Sequence, residues 1–493
     1  MLIPIKVPPG VYRNETELTS AGRWYDSNLV RWYQDAMQPM GGWAKLNDSA
    51  VTGRASGVYT WRQNDLTRWL AVGTEQKLYA YRAGQTQFDI TPTGYSTGRA
   101  SAEDFLGYGG QYYGTFNYGV ARPDNSLTGI LPATAWSLDN FGEVLIACAN
   151  TDGVIYSWDL NTSNPAAAVH GSAPTSNQAI VVTEERFLFA LGADGDPRKI
   201  AWADQESLTT WSSSPTNQAG DFNLQTTGSI VAGCRVKGST LIFTTSDVHV
   251  AQYLGPPYVY GFQRAGISCG LIAINAVISF DVGAVWMSDS GFWMYDGYAK
   301  PLNCEVADYV FRDMNFNQKS KISALHNAEF GEVMWLYPSA NSTENDRYVV
   351  WNYRENHWSI GAMDRTVGVH ANIFRTPIMI GTDGYVYEHE TGWDYDGASP
   401  YVESGPMQLG NGDNVMCATQ LIPDERTAGD VQVKFKTRFY PNGDEQTFGP
   451  YSMSSPTDVR FTARQAKMRI EPIKNTAWRV GEMRIDASPG GKR

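Results

Sequence analysis

Residues Val144–Trp158 read VLIACANTDGVIYSW. An apolar run enters, Asn-Thr-Asp-Gly interrupts it, and an alternating run with aromatic residues returns. That order predicts a β-hairpin, because Asp-Gly tolerates the positive φ of a tight reversal and alternation suits a strand. The phrase recurs with drift. TEQKLYAY begins at Thr74 after RWLAVG, SDVHVAQY at Ser246 after TLIFTT, SDSGFWMY at Ser288 after AVWM, and TDGYVYEH at Thr382 after PIMIG. Each copy has a hydroxyl residue, an acid, a short turn and a returning strand.

The acids stand at 75, 152, 247, 289 and 383, which are 77, 95, 42 and 94 residues apart. Two gaps are double a period of roughly 47, and each holds a further hairpin-like stretch: RFLFALGADGDPRKIAWAD from Arg186 and GEVMWLYPSANSTENDRYVVWNY from Gly331. FGEV at Phe141 returns at Phe330. Flanking runs such as ASGVYTWR and GQTQFDITP bring each unit to about four strands. A period of 40–50 residues with four short strands predicts an all-β chain with a β-propeller of six or seven blades over 53–397. Residues 1–52 are expected to close the ring and contact neighbours, with Ser27–Gln38 as a short helical piece and MGGWAKL as a strand. Residues 398–493 alternate clearly, as in DVQVKFKTRFY, where Lys434, Lys436 and Arg438 interleave with Val433, Phe435 and Thr437. They predict a small C-terminal antiparallel β domain, sandwich-like, with one basic face.

The first gap exceeds one period by roughly 30 residues. The excess lies at about 93–132 and contains GYGGQYYGTFNYG, Gly107–Gly119. This is an expected inter-blade loop on a rigid scaffold, a common place for function. Its rings, Tyr108, Tyr112, Tyr113, Phe116 and Tyr118, are candidates to dock on an adjacent subunit or to line a channel constriction. The stretch has no Lys or Arg, which disfavours phosphate binding by the loop alone.

The 493 residues carry 18% charged and 13% aromatic side chains and a net charge of −12. Such acidity argues against nonspecific nucleic-acid binding by the whole surface. The five cysteines, Cys148, Cys234, Cys269, Cys304 and Cys417, have no CxxC spacing and are expected as free thiols of a reducing compartment. MLIPIKVPPG has no charged region followed by a long apolar one, so no secretory leader is expected. No apolar run reaches membrane-spanning length.

Chemistry is sparse. Most acids fall in turns, where side chain-to-backbone hydrogen bonds explain them. SDSGFW lacks the spacing of a sialidase Asp-box. His170, His249, His326, His357, His370 and His389 show no HxxxH or HExxH spacing and are read as structural. GADGDP and DYDG do not continue into a twelve-residue calcium loop. There is no P-loop, no strand-following GxGxxG and no nucleophile elbow. No catalytic residue, metal or cofactor is expected, and the chain is read as a non-enzyme.

PPGVYRNETELTSAGRWYDSNLVRWYQDAMQPMGGWAKL (Pro8–Leu46), GTEQKLYAYRAG (Gly73–Gly84) and WRVGEMRIDASPGGKR (Trp478–Arg493) resemble the tail-nozzle, or packaged-DNA stabilisation, proteins of short-tailed bacteriophages. The resemblance is diffuse and spans most of the chain. It implies a structural virion subunit in a homohexameric ring. That ring would extend the portal–adaptor channel, retain packaged DNA and pass it during ejection. The implied partners are the head-to-tail adaptor, fibre or needle proteins, and double-stranded DNA contacted without sequence specificity. Assembly is expected in the host cytoplasm. The alternative is a receptor- or glycan-binding tail protein, with the aromatics as sugar platforms, and after it a glycosidase.

Overall fold

The computed structural model describes residues 2–83, 86–105, 129–409, 412, 414–427 and 429–491. VLIACANTDGVIYSW is a hairpin: Val144–Ala149 pairs antiparallel with Ile155–Trp158, Leu145 opposite Trp158 and Cys148 opposite Ile155. The turn is closed by Gly153 N–H donating to Ala149 O at 2.7 Å. Gly153 has φ +69°, and a Cβ there would lie 2.5 Å from Ser176 Cα, so glycine is required twice over. The recurring hydroxyl and acid hold the reversal. Thr74 Oγ1 accepts from Lys77 N–H at 2.8 Å; in the SDVHVAQY copy the hydroxyl that does this is Thr244, two residues before the Ser246 of the phrase, accepting from Asp247 N–H at 2.9 Å. Asp152 accepts from Tyr156 Oη at 2.5 Å and Asp383 from Tyr387 Oη at 2.6 Å. All seven stretches singled out in the sequence are hairpins of this kind.

Each hairpin gains a strand on either side, giving seven four-stranded antiparallel sheets. Their opening strands are Ala55–Arg62, Trp136–Phe141, Ala179–Val182, Ile230–Val236, Val277–Phe280, Ser323–Asn327 and Arg365–Val369. The outermost strand of the seventh sheet is Trp43–Lys45, drawn from the MGGWAKL stretch and paired with Tyr387–His389.

The expected fold class, a β-propeller of six or seven blades followed by a small sandwich-like domain, is corrected. The described strands form eleven separate small antiparallel sheets, none curled into a barrel, and no hydrogen-bonded ladder passes from one sheet to the next, so backbone pairing closes no propeller ring. The sequence period reports the hairpin, a local object; closure is not a local property. Side-chain packing is what relates the units. The opening strands lie beside one another in chain order, and Arg365–Val369 lies beside Ala55–Arg62.

That packing explains why Val144–Ala149 is apolar throughout. Successive side chains point to opposite faces of a sheet. Leu145 and Ala147 pack with Trp69, Ala71 and Ala80 of the first sheet. Ile146 and Cys148 pack with Ile180, Leu188 and Ala190 of the third. Both faces are covered, and each large side chain fully removed from water contributes about 1.5–3 kcal/mol. Tryptophans tie sheet to sheet through their N–H. Trp136 donates to Thr74 O at 2.7 Å, Trp286 to Cys269 O at 2.8 Å, and Trp335 to Ala276 O at 3.0 Å. Gly73 lets the Trp136 ring approach: a Cβ there would stand 2.4 Å from Trp136 Cδ1.

The two ends of the chain fold together. Leu2–Ile5 pairs with Met483–Pro489, and Trp24–Asn28 pairs with Tyr401–Ser404. Phe435 of the resulting five-stranded sheet meets Phe461 of the four-stranded one at 4.9 Å. Val431, Val433 and Phe435 are buried, as their alternation requires. Acids meet the basic face: Lys434 pairs with Glu471, and Lys436 with Glu403 at 2.6 Å. Ser27–Gln38, expected as a helical piece, instead contains the hairpin Val30–Tyr33/Ala36–Pro39. Gln34 and Asp35, with φ +53° and +60°, make its two-residue turn without the usual Asn-Gly signature. One short α-helix, Ala307–Arg312, is present among the described residues. No described helix is long and apolar enough to cross a membrane.

Candidate ligand-binding cavity

Because the opening strands share one centre, their inward side chains line a common cavity of about 350 Å³. Tyr59, Asp139, Val181, Cys234, Ser279, Ala324 and Gly368 each come from a different sheet and all face it. The volume is within the range of small-molecule sites.

Asp139 organises one side. Its Oδ2 accepts from Val182 N–H at 2.9 Å, and its Oδ1 accepts from Asn140 N–H at 2.8 Å and from Arg235 Nη2 at 2.7 Å. The Tyr59 hydroxyl lies 2.6 Å from Asn140 Oδ1 and 3.1 Å from Asp139 Oδ1, and its single proton serves one of them at a time. Burial pushes the Asp139 carboxyl up, against the pull of Arg235. Burial and then the Asp139 charge push the Tyr59 phenol up, keeping it a donor. The Arg235 side chain is 37% exposed, so the guanidinium keeps N–H groups for a ligand after pairing with Asp139.

Next to the Tyr59 strand, Asn372 lies 3.3 Å from Thr60 Oγ1 and 2.9 Å from His370 Nε2. Burial lowers the His370 pKa, so its neutral ring offers one donor and one acceptor. Beyond Ser279, the Phe280 ring stacks on His326 at 5.1 Å and packs on Tyr353 at 4.8 Å. His326 Nε2 meets Tyr353 Oη at 3.2 Å, and burial lowers the His326 pKa to about 4. Burial pushes the Cys234 thiol up to about 11, which leaves it protonated and weakly nucleophilic at neutral pH. Among the described lining residues Asp139 is the one carboxylate, whereas glycoside hydrolysis requires two facing each other. Hydroxyl-matching donors and acceptors suit a polyhydroxylated ligand.

No protein-family model matches the chain, and no curated protein matches it. Solved structures similar to it include the Neurospora crassa Pan2 WD40 domain, 9% identical over 70% of this chain and 95% of that one, TM-score 0.40. A glycoside hydrolase is 10% identical over 90% and 100% of the two chains, TM-score 0.26. PorZ, a bacterial surface component of the type-IX secretion system of Porphyromonas gingivalis, is 8% identical over 83% and 46%, TM-score 0.38. The reading as a homohexameric nozzle subunit that retains and passes DNA is corrected on the fold: it was built on a closed propeller, and the described strands form separate sheets that no backbone ladder closes.

Tyr108, Tyr112, Tyr113, Phe116 and Tyr118 fall outside the described residues. The roots of their insertion are described: Glu103–Phe105 pairs with Gly129–Leu131. These roots are pinned to the 3-10 turn Phe316–Lys321. Ala102 exchanges two hydrogen bonds with the Gln318 amide, at 2.9 and 3.1 Å, and Ser320 Oγ accepts from Ala133 N–H at 3.1 Å. The turn acids examined for chemistry are engaged structurally. Asp289 pairs with Lys319 at 2.8 Å, Asp194 with Lys199 at 2.9 Å, and Asp396 accepts from Trp43 Nε1 at 2.6 Å. Sequence reading missed Asp139 and Arg235. For Arg235 the available signal was a charge inside the otherwise apolar strand IVAGCRV; Asp139, between Ser137 and Asn140 in WSLDNF, carried no such contrast.

Proposed function

We propose that the chain is a carbohydrate-binding protein that holds a glycan at the central cavity without turning it over. The observation that carries this reading is the Arg235–Asp139–Tyr59 array facing the cavity. The array supplies fixed hydrogen bonds for sugar hydroxyls. A single lining carboxylate favours binding over hydrolysis. The resemblance of the chain ends to short-tailed phage tail proteins extends the proposal to a place: a virion tail protein, assembled in the host cytoplasm as a homo-oligomer, that reads surface glycans of its host.

The test is a glycan array probed with the full chain, with Arg235→Ala and Asn372→Ala as variants. Binding to a defined subset of glycans, lost in both variants, is expected. An empty array, or hits unchanged in the variants, refutes the assignment. Release of reducing sugar from a bound glycan refutes its non-catalytic part.

A further inference from the structure

The two ends of the central cavity are built differently. The opening strands around it run in the same direction: Ser137 Oγ donates to Ile180 O at 2.8 Å and, further along both strands, Asp139 accepts from Val182 N–H at 2.9 Å. Asp139, Arg235 and Asn372 stand where these strands leave the cavity, and there Arg235 and Asn372 reach solvent. The end where the strands enter is crossed by the chain itself. Asn275 Nδ2, just before the fifth opening strand, donates to Ser56 O of the first at 2.8 Å, and Asn275 O accepts from Ala324 N–H of the sixth at 2.7 Å. The turn Phe316–Lys321 leads into the sixth strand and holds the segments that flank the insertion before the second. Gln318 bonds Ala102, Ser320 bonds Ala133, and Lys321 Nζ donates to Ser101 Oγ at 3.0 Å. The first and fifth strands do not pack side by side, nor do the second and sixth, so both links span the centre. Gln318, Lys321 and Ala133 are buried there. The groove of about 190 Å³ beside that turn shares one lining residue with the cavity, Ile274, which is 8% exposed and walls the two apart.

We propose, resting on the carbohydrate reading above, that the cavity is a blind pit that takes the end of a glycan chain and not its interior, and that the terminal units it takes are neutral sugars. A chain bound by its interior must leave a site twice, and a pit with one mouth lets it leave once. The volume of about 350 Å³ holds about two sugar rings. At the mouth the Asp139 carboxylate and the Arg235 guanidinium already balance each other at 2.7 Å, which favours a neutral hydroxylated unit over a uronic or sialic acid.

The test is the pattern of hits when the full chain is applied to a printed array of glycans of known structure. Bound glycans are expected to share their free terminal unit or pair of units, all neutral, whatever the interior. Glycans carrying that unit beneath one further sugar should bind about tenfold or more weakly. Ser279→Trp places a large ring in the wall of the pit and should abolish binding, with circular dichroism checking the fold; the array pattern decides the matter if this variant does not fold. Hits that share an interior motif whatever their ends, hits with acidic termini, or binding that survives Ser279→Trp overturn the inference and leave carbohydrate binding standing. An empty array overturns both.

Discussion

Glu332→Gln should make the protein more stable in mild alkali and flatten its stability profile between pH 5 and 8. Arg31 is buried between two carboxylates, 3.0 Å from Glu332 and 3.0 Å from Glu390. Its guanidinium lies on the Phe330 ring at 3.8 Å, and Glu390 also accepts from Gly41 N–H at 2.9 Å and Asn327 Nδ2 at 3.1 Å. One cation balances one anion, so the second carboxylate carries an uncompensated buried charge when it ionises. Burial, helped by the nearby Glu390 charge and opposed by Arg31, pushes Glu332 from 4.5 to about 7. Between those values the folded chain holds a proton at Glu332 that the unfolded chain has released. Stability from this group is therefore present below pH 4.5 and lost as the pH rises through about 7. The full loss is about 3 kcal/mol, accumulating at about 1.4 kcal/mol per pH unit.

Gln keeps the shape and a carbonyl acceptor for Arg31 but has no proton to lose. Urea denaturation of both chains at pH 5, 6, 7, 8 and 9 should show the variant gaining on the wild type as pH rises, with a plateau above pH 7. His389 lies against the same small cavity, its pKa lowered by burial and by Arg365; it is present in both chains and cancels in the difference. Parallel profiles with a constant offset would refute the assignment of that proton to Glu332.

Asp139→Ala should cost about 2–3 kcal/mol in urea denaturation, below the ~3–5 of a fully buried pair because Arg235 is partly exposed, and it should abolish glycan binding. Gly73→Ala should destabilise by about 1–3 kcal/mol, because the new methyl meets the Trp136 ring, whereas Gly171→Ala should stay within about 0.5. Alkylation of Cys234 should be slow at neutral pH and accelerate towards pH 11, the value to which burial raises its thiol; mass spectrometry of single-cysteine chains reads this directly.

The hairpins were legible because they are local. Thr151, Asp152 and Gly153 specify a reversal within a few residues, and alternation on either side specifies the strands it joins. The hairpin at Gln34–Asp35 was not legible. Its turn residues sit at positive φ without glycine or asparagine, and the burial of Val30, Arg31 and Trp32 together hides the alternation. Relations between units were not legible either, since they depend on which face of one sheet covers the next. Arg31 meets Glu390 359 residues away, and Arg235 meets Asp139 96 residues away.

A charge inside an apolar strand nevertheless carries information, because a buried charge must be compensated. Arg31 in VRWY, Glu332 in EVMWLYP and Arg235 in IVAGCRV are three such positions. Each proves to be half of an ion pair, Arg31 with Glu332 and Arg235 with Asp139. Lys434 and Lys436 lie instead on the polar face of the alternating strand VQVKFKTR, and they find Glu471 and Glu403. Strand charges thus mark where pairing must occur without saying who pairs. What separates Arg235 from the rest is its residual exposure to a cavity, a property of the assembled sheets alone. The functional reading rests on that exposure: a guanidinium fully consumed by its partner would stabilise the centre and bind nothing.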